Sequence, residues 1–326
     1  MIAVTGGAGF IGSAIIRSLN LRGITDILVV EEHELSSEKK KNLEFLKFSR
    51  VVEAGEFLSS YGKGKIKPGA VFHMGACSST TETDREYIMR VNYHYTREIA
   101  QAAAASSSRF IYASSAATYG DGTLGFSDEH SRLKEYTPLN LYGESKHLFD
   151  IYALESGLLE SIAGIKYFNV YGPNEYHKKS MRSFVVKAYE QIQNEGEIRL
   201  FKSYRDDIGD GEQRRDFLYI KDAADMTLHF FDNPGICGIF NAGTGIARTW
   251  NSLARSVFSA MGISARIKYV DMPEELRGQY QYYTCADTAK LLESGYRKET
   301  HSLEKGIEDY VRNYLPDRRL GCCDGC

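Results

Sequence analysis

Tyr142-Gly143-Glu144-Ser145-Lys146 sets a phenol and an ammonium four residues apart, which places both on one face of a helix. A free phenol has a pKa of about 10 and is a weak base at neutral pH. A nearby ammonium favours the phenolate and lowers that value. The pair therefore suits removal of a proton from a hydroxyl group while hydride leaves its carbon. The spacing alone is common, and an accidental surface pair is the plain alternative. It gains meaning from Ala113-Ser114-Ser115-Ala116-Ala117-Thr118-Tyr119-Gly120, a run that follows an apolar strand candidate. Ligands of open α/β sheets sit at such strand ends. There Ser115 would hydrogen-bond the reacting hydroxyl and turn it toward Tyr142.

Hydride needs an acceptor, and the N-terminal turn offers a place for one. Thr5-Gly6-Gly7-Ala8-Gly9-Phe10-Ile11-Gly12 follows the first strand candidate and opens a helix. Gly6, Gly9 and Gly12 permit a tight turn, close approach of a pyrophosphate to backbone N–H groups, and tight helix–strand contact. Helix N-termini favour anions, so the phosphates of a dinucleotide belong here. Lys146 can then hold the nicotinamide ribose as well. Glu31, at the end of the second strand candidate, can bind the adenosine ribose hydroxyls, which favours NAD. Glu32 would further repel a 2′-phosphate. Against this, Lys39-Lys40-Lys41 stands close enough in sequence to fold over that phosphate, which favours NADP. The residues themselves leave the choice between the two open.

These groups require a scaffold that aligns strand ends. Strand candidates lie at residues 2–5, 27–30, 70–73, 110–114 and 162–167, separated by helical stretches such as 11–21, 84–105 and 142–155. Such alternation predicts a parallel sheet with helices on both faces. Short continuous apolar runs suit strands buried on both sides. After about residue 169 the pattern is less regular, with helices predicted at 180–194, 223–232, 249–261 and 302–314 and strands at 217–220, 238–242 and 266–270. The expected class is α/β: a Rossmann-type doubly wound parallel sheet over residues 1–168, then a smaller α/β substrate-binding lobe over 169–316. Some segments of that lobe are expected to pack back on the first. Residues 317–326 form a cysteine-rich tail. Residues 203–213, rich in Asp and Gly, read as a mobile loop.

The composition narrows the class of partner. Hydrophobic residues make up 43% and charged residues 25%, ordinary for a soluble globular protein. A formal net charge of -3 argues against a nucleic-acid binder held by a basic surface. Apolar runs are too short for a membrane span. The chain opens on Ile2-Ala3-Val4 without a charged n-region and long apolar h-region, so a cytoplasmic enzyme is expected. Of six cysteines, Cys77, Cys237 and Cys285 are scattered, unlike a disulfide framework. Cys322, Cys323 and Cys326 offer three soft ligands at a frayed terminus, a poor metal site without a fourth, and no metal is expected.

Further runs carry a family likeness: Gly75-Ala76-Cys77-Ser78-Ser79-Thr80-Thr81-Glu82, Tyr167-Phe168-Asn169-Val170-Tyr171-Gly172-Pro173, His177-Lys178, Ser180-Met181, Arg215-Asp216-Phe217 and residues 278–286. With these, the chain from its first strand to about residue 314 resembles the ADP-L-glycero-D-manno-heptose 6-epimerase family of the extended short-chain dehydrogenase/reductase superfamily. The resemblance implies redox-neutral inversion at C6 of an ADP-linked heptose, supplying heptose for the lipopolysaccharide core. Such inversion calls for two acid/base groups, which the resemblance places at Tyr142 and Lys178. Lys178 also belongs to a basic group with Lys179, Arg182 and Lys187, which could simply attract the ADP diphosphate. The resemblance implies substrate contacts at Ser79, Asn169, Val170, Ser180, Lys187, Phe201, Arg215 and Tyr280. Arg215 suits a bidentate diphosphate contact. It implies cofactor contacts at Phe10, Ile11, Lys39, Gly75, Ala76, Cys77, Ser78, Asn92 and Lys146. NADP is the usual family cofactor and a homo-oligomer, usually a pentamer, the usual assembly. Glu31-Glu32 stands where the family pattern has Asp-Asn, and the loop 201–214 is longer than usual.

Two other classes of function remain open at this level. One is a related nucleotide-sugar 4-epimerase or dehydrogenase. A 4,6-dehydratase is disfavoured, because Ala116-Ala117 stands where that group carries an acidic pair. The other is a non-catalytic NAD(P)-binding regulator, against which Ser115, Tyr142 and Lys146 all argue.

Overall fold

The computed structural model describes residues 1–321 except His33, Gly278 and Gln279. The strands are β1 (Ile2–Thr5), β2 (Ile27–Glu31), β3 (Arg50–Glu53), β4 (Ala70–His73), β5 (Arg109–Ser115), β6 (Ala163–Tyr167), β7 (Asn169–Tyr171), β8 (Ile198–Phe201), β9 (Arg214–Tyr219), β10 (Gly238–Ala242), β11 (Ala247–Thr249) and β12 (Ile267–Val270). Seven of them form one sheet in the order β10-β6-β5-β4-β1-β2-β3, with every neighbouring pair parallel.

The apolar runs of this sheet bury both faces, because successive side chains alternate sides. Ile2, Val4, Ile27 and Val29 join Ile15, Ile16 and Leu228 in one core. Ala3, Leu28, Val30 and Val71 join Phe57, Ile99 and Phe149 in the other. The helices Phe10–Leu21 and Ile220–Asp232 therefore lie on one face, and Ala54–Gly62, Tyr95–Ala105 and Leu141–Glu155 on the other. This is the doubly wound Rossmann-type sheet expected from the alternation.

Strand order reverses between β1 and β4. That reversal opens a crevice at the carboxyl ends of the two strands, where ligands of such sheets bind. The later chain adds a three-stranded sheet, β11-β9-β7, and a parallel pair, β12-β8. β10 returns to the edge of the large sheet beside β6.

Two expectations change in detail. The single helix predicted over 84–105 is a short helix Arg85–Ile88, a π-helical turn Met89–His94 and the helix Tyr95–Ala105. The helix predicted from 180 starts at Phe184, after a 3-10 segment Tyr176–Met181. At the C-terminal end Arg319 and Leu320 are buried, at 2% and 1% exposure. Cys322, Cys323 and Cys326 lie outside the described residues. Among the described residues no helix is long and apolar enough to cross a membrane, and no His/Cys/Asp/Glu cluster is arranged to hold a metal ion.

Candidate active site

The helix Leu141–Glu155 starts at Asn140, whose Oδ1 accepts the Gly143 N–H at 2.9 Å. That bond satisfies one of the open donors of the first turn. Tyr142, Lys146 and Asp150 follow at steps of four on one face. Gly143 lets the helix approach closely: a Cβ there would stand 2.7 Å from the Ala117 carbonyl oxygen. Burial pushes the Tyr142 phenol above its ordinary value, and a hydrogen bond with Ser115 pulls against that rise. The lowering expected from Lys146 is not among the influences that set the balance; that ammonium donates to the Ala113 carbonyl at 2.9 Å. Burial brings Lys146 itself down to about 8, with Asp150 opposing.

Beneath these groups sits a buried ion pair. Asp150 accepts from Lys166 Nζ at 2.6 Å, from Tyr112 Oη at 2.8 Å and from Ser114 Oγ at 2.7 Å. Lys166 also donates to Thr118 Oγ1 at 2.6 Å, and both charged side chains are wholly buried. A buried pair is costly unless its remaining hydrogen-bonding capacity is met, and here three donors meet the carboxylate. The network ties the Tyr142 helix to the end of β5, which fixes Ser115 relative to Tyr142.

Asn92 lies in the π-helical turn, a departure from α-helical geometry often found at functional sites. Its Oδ1 accepts the Cys77 N–H at 2.8 Å, and its Nδ2 donates to the Cys77 carbonyl and to Ser145 Oγ, both at 2.9 Å. The side chain is fully buried. Asn92 thus joins the segment after β4 to the Tyr142 helix from below.

The glycine turn sits at the β1/β4 crevice. Gly6 has φ 61°, and a Cβ on it would stand 2.7 Å from Gly75 Cα. A Cβ on Gly12 would stand 2.2 Å from the Gly6 carbonyl oxygen. The helix Phe10–Leu21 begins at Gly9 without a side-chain cap, so its first N–H groups remain for an anion. This cradle fits a dinucleotide pyrophosphate. Glu31 Oε1 accepts the Ala8 N–H at 2.7 Å, and its Oε2 accepts from Lys39 Nζ at 2.6 Å. Of the lysine run only Lys39 borders the crevice. Lys40 lies 4.0 Å from Glu34, and Lys41 pairs with Glu38 at 3.1 Å.

Two cavities meet here. The larger, about 670 Å³, is bordered by Gly6, Gly9, Phe10, Ile11, Gly12, Glu31, Glu32, Lys39, Gly75, Ala76, Cys77, Ser78, Ser79, Lys146, Val170 and Lys178. The smaller, about 330 Å³, is bordered by Asn169, Arg215 and Tyr280. Ser115, Tyr142, Tyr167 and Phe168 form their common wall. Ser180, Lys187, Phe201 and the fully buried Asn92 border neither. Lys178 Nζ stands 5.2 Å from the centre of the Phe10 ring. Burial lowers the Lys178 pKa, and Glu175 opposes the fall. Arg215 lies over the rings of Tyr280 and Trp250 at 5.2 and 5.8 Å and donates to the Arg214 carbonyl at 2.8 Å. Among the described residues no carboxylate pairs with it.

Thr80, Asn140, Gln281 and Thr284 in the smaller cavity, and Arg90, His177 and Met181 in the larger, are lining residues beyond the expected contacts, although all but Asn140 and Arg90 lie in the runs that carry the family likeness. Most sit on irregular segments without periodicity. Asn140 had a readable signal, as a capping side chain just before a helical run.

The arrangement can bind a dinucleotide along the larger cavity and present a second molecule to Ser115 and Tyr142 from the smaller. Comparison with known proteins agrees. The NAD dependent epimerase/dehydratase family model matches residues 2–243. An ADP-L-glycero-D-manno-heptose-6-epimerase of Nitratidesulfovibrio vulgaris is 50% identical over 317 residues, covering 97% of this chain and 98% of that protein. The Fusobacterium nucleatum protein of the same name is 44% identical, over 97% and 98% of the two chains. The crystal structure of the Helicobacter pylori ADP-L-glycero-D-manno-heptose-6-epimerase superimposes with a TM-score of 0.79 at 28% identity, covering 95% of this chain and 94% of that one. The chain belongs to the ADP-L-glycero-D-manno-heptose-6-epimerase family.

Proposed function

We propose that this protein interconverts ADP-D-glycero-β-D-manno-heptose and ADP-L-glycero-β-D-manno-heptose by inversion at C6. The observation that carries the reading is the common wall of the two cavities, where Ser115 and Tyr142 face both the dinucleotide cradle and the space beside Arg215 and Asn169. In this reading Ser115 orients the C6 hydroxyl and Tyr142 moves its proton. Lys178 is the second acid/base group, serving the opposite face of the sugar. Its burial supports the role, because a lowered ammonium pKa brings a lysine nearer to neutral proton exchange. A bound nicotinamide supplies hydride acceptance and return. Lys146 and the glycine turn would hold that cofactor, and Arg215 would hold the substrate diphosphate. Residues 1–168 serve as the dinucleotide unit and 169–316 as the substrate lobe, with β10 lent back to the large sheet. A homo-oligomeric, cytoplasmic enzyme belongs to the same reading.

For the dinucleotide, the resemblance implies NADP, while one observation favours NAD. Lys39 is already engaged by Glu31, and Glu32 and Glu53 border the same end of the cavity. Arg90 is a second cation there, but it is solvent-exposed. A 2′-phosphate would have to win Lys39 from a buried carboxylate.

The test is incubation of purified protein with ADP-D-glycero-D-manno-heptose, without added reductant, followed by separation of the C6 epimers. The L-glycero epimer should appear with no net change in reduced nicotinamide. Net reduction would point to a dehydrogenase. Absence of conversion with dinucleotide bound would overturn the reading in favour of another nucleotide sugar or a non-catalytic role.

A further inference from the structure

The segment carrying Lys178 is tied to the glycine turn by a buried polar junction centred on Asn174. Asn174 is fully buried and holds a left-handed backbone, φ 75°. Its Nδ2 donates to Ser13 Oγ, on the helix that opens at the glycine turn, at 3.0 Å. Its Oδ1 accepts the Leu320 N–H at 3.0 Å. Its carbonyl accepts from Asn42 Nδ2 at 3.0 Å, and the same amide donates to the Ala8 carbonyl of the glycine turn at 3.0 Å. One asparagine thus meets the dinucleotide helix, the glycine turn through Asn42, and the C-terminal segment.

The next residue anchors the other side. Glu175 is also fully buried. Its carboxylate accepts from the backbone N–H of Ser183, from Ser183 Oγ at 2.7 Å and from Tyr310 Oη at 3.2 Å. Its carbonyl accepts the Lys178 N–H at 3.0 Å, closing the 3-10 segment. The lysine is therefore carried on a short turn clamped at both ends, with its ammonium over Phe10 of the glycine turn.

We propose that Asn174 is a positioning residue that sets Lys178 over the dinucleotide turn, so that loss of its amide displaces Lys178 while leaving Tyr142 and Lys146 in place. The inference builds on the reading of Lys178 as the second acid/base group. The physical reason is that groups holding a reacting side chain must fix it to within a fraction of an ångström. A buried amide with both ends engaged does this at little entropic cost. Tyr142 and Lys146 are fixed by a different set, Asp150 and Asn92, which Asn174 does not touch.

Asn174→Gly is the informative variant, since glycine accepts the left-handed backbone without strain while the amide is lost. Ser13→Ala, which removes the acceptor of that amide together with the Ser13 Oγ donation to the Phe10 carbonyl at 3.1 Å, serves if the first variant folds poorly. Two measurements are made on the full chain. In steady-state kinetics kcat should fall about tenfold or more, a loss on the order of that caused by misplacing a reacting group. The KM for the sugar nucleotide and the Kd for reduced dinucleotide should stay within about twofold. In competitive acetylation read by mass spectrometry, Lys178 should label about fivefold faster than in the parent while Lys146 keeps its rate. Parent values of kcat and Lys178 labelling would overturn the proposal. So would equal acceleration at both lysines, which indicates general loosening. Lys178→Met is run in parallel. Full activity there would remove the acid/base reading, whereas the labelling result judges the placement of Lys178 independently.

Discussion

Glu31 and Lys39 are joined at 2.6 Å while the other oxygen of Glu31 closes the glycine turn through the Ala8 N–H at 2.7 Å. One carboxylate therefore shapes the phosphate cradle and occupies the lysine beside it. NADH should bind about tenfold more tightly than NADPH, a difference of about 1.4 kcal/mol. Glu31→Gln keeps an acceptor for Ala8 but frees Lys39, and should narrow or reverse that gap. Fluorescence titration of both reduced dinucleotides against both proteins measures it. Tighter NADPH binding by the parent protein would refute the idea that the ion pair sets the preference.

Tyr142→Phe removes the phenolic oxygen and its Ser115 contact but leaves the ring in the wall between the cavities. Turnover should drop by roughly 10²–10⁴, the usual range for loss of a positioned acid/base group. Dinucleotide affinity should hold. Retained epimerisation would take Tyr142 out of the reaction.

Gly143→Ala tests the closeness of the Tyr142 helix to residues 116–119. Its new Cβ would meet the Ala117 carbonyl oxygen at 2.7 Å and Pro138 Cβ at 3.1 Å, so the helix must move away from Ser115. A shift of this kind is expected to cost about 10² in kcat, with little loss of dinucleotide binding. An unchanged kcat would show that the contact is not needed for catalysis.

The Asp150–Lys166 pair predicts a stability effect. Lys166→Met leaves a buried carboxylate without its cation, which should cost about 3–5 kcal/mol. Adding Asp150→Asn should return part of that loss by removing the stranded charge. Urea denaturation of both variants and of Asp150→Asn alone reads both effects, and additive losses would contradict the pairing.

His73 predicts how stability responds to acid. It is fully buried, with Nδ1 2.7 Å from Thr5 Oγ1 and Nε2 2.8 Å from Thr96 Oγ1. Burial, with Lys146 adding to it, pushes its pKa down to about 3. An unfolded histidine titrates at about 6.5, so between these values the unfolded chain binds the extra proton. The contribution is complete above about pH 6.5 and is lost as pH falls toward about 3. His177, lowered to about 4 mainly by burial, acts with the same sign. His73→Gln should flatten the fall in urea midpoint between about pH 7 and about pH 5. An equal pH slope in parent and variant would assign the loss elsewhere.

Much of the fold was readable from the chain, for reasons that can be named. β1, β2, β4, β5 and β6 are buried along nearly their whole length, so they appear as largely apolar runs, broken within β6 by the ion-paired Lys166. β3 exposes three of its four residues and β11 is half-buried throughout, and neither carries such a run. The π-helical turn at Met89–His94 was invisible, because a one-residue change of period inside a helix leaves no mark in an apolar pattern.

The division within the site follows the same logic. Tyr142 with Lys146, and Gly6 with Gly9 and Gly12, are set by local geometry, a helix face and a turn, so their spacing together with the flanking runs was enough to mark them as candidates. Glu31 with Lys39, Asp150 with Lys166, and Asn174 with Ser13 and Leu320 are pairings across the sheet crevice or between distant segments. Only the tertiary structure decided them, because burial and approach between elements set both their charge state and their partners, and neither is encoded in local spacing.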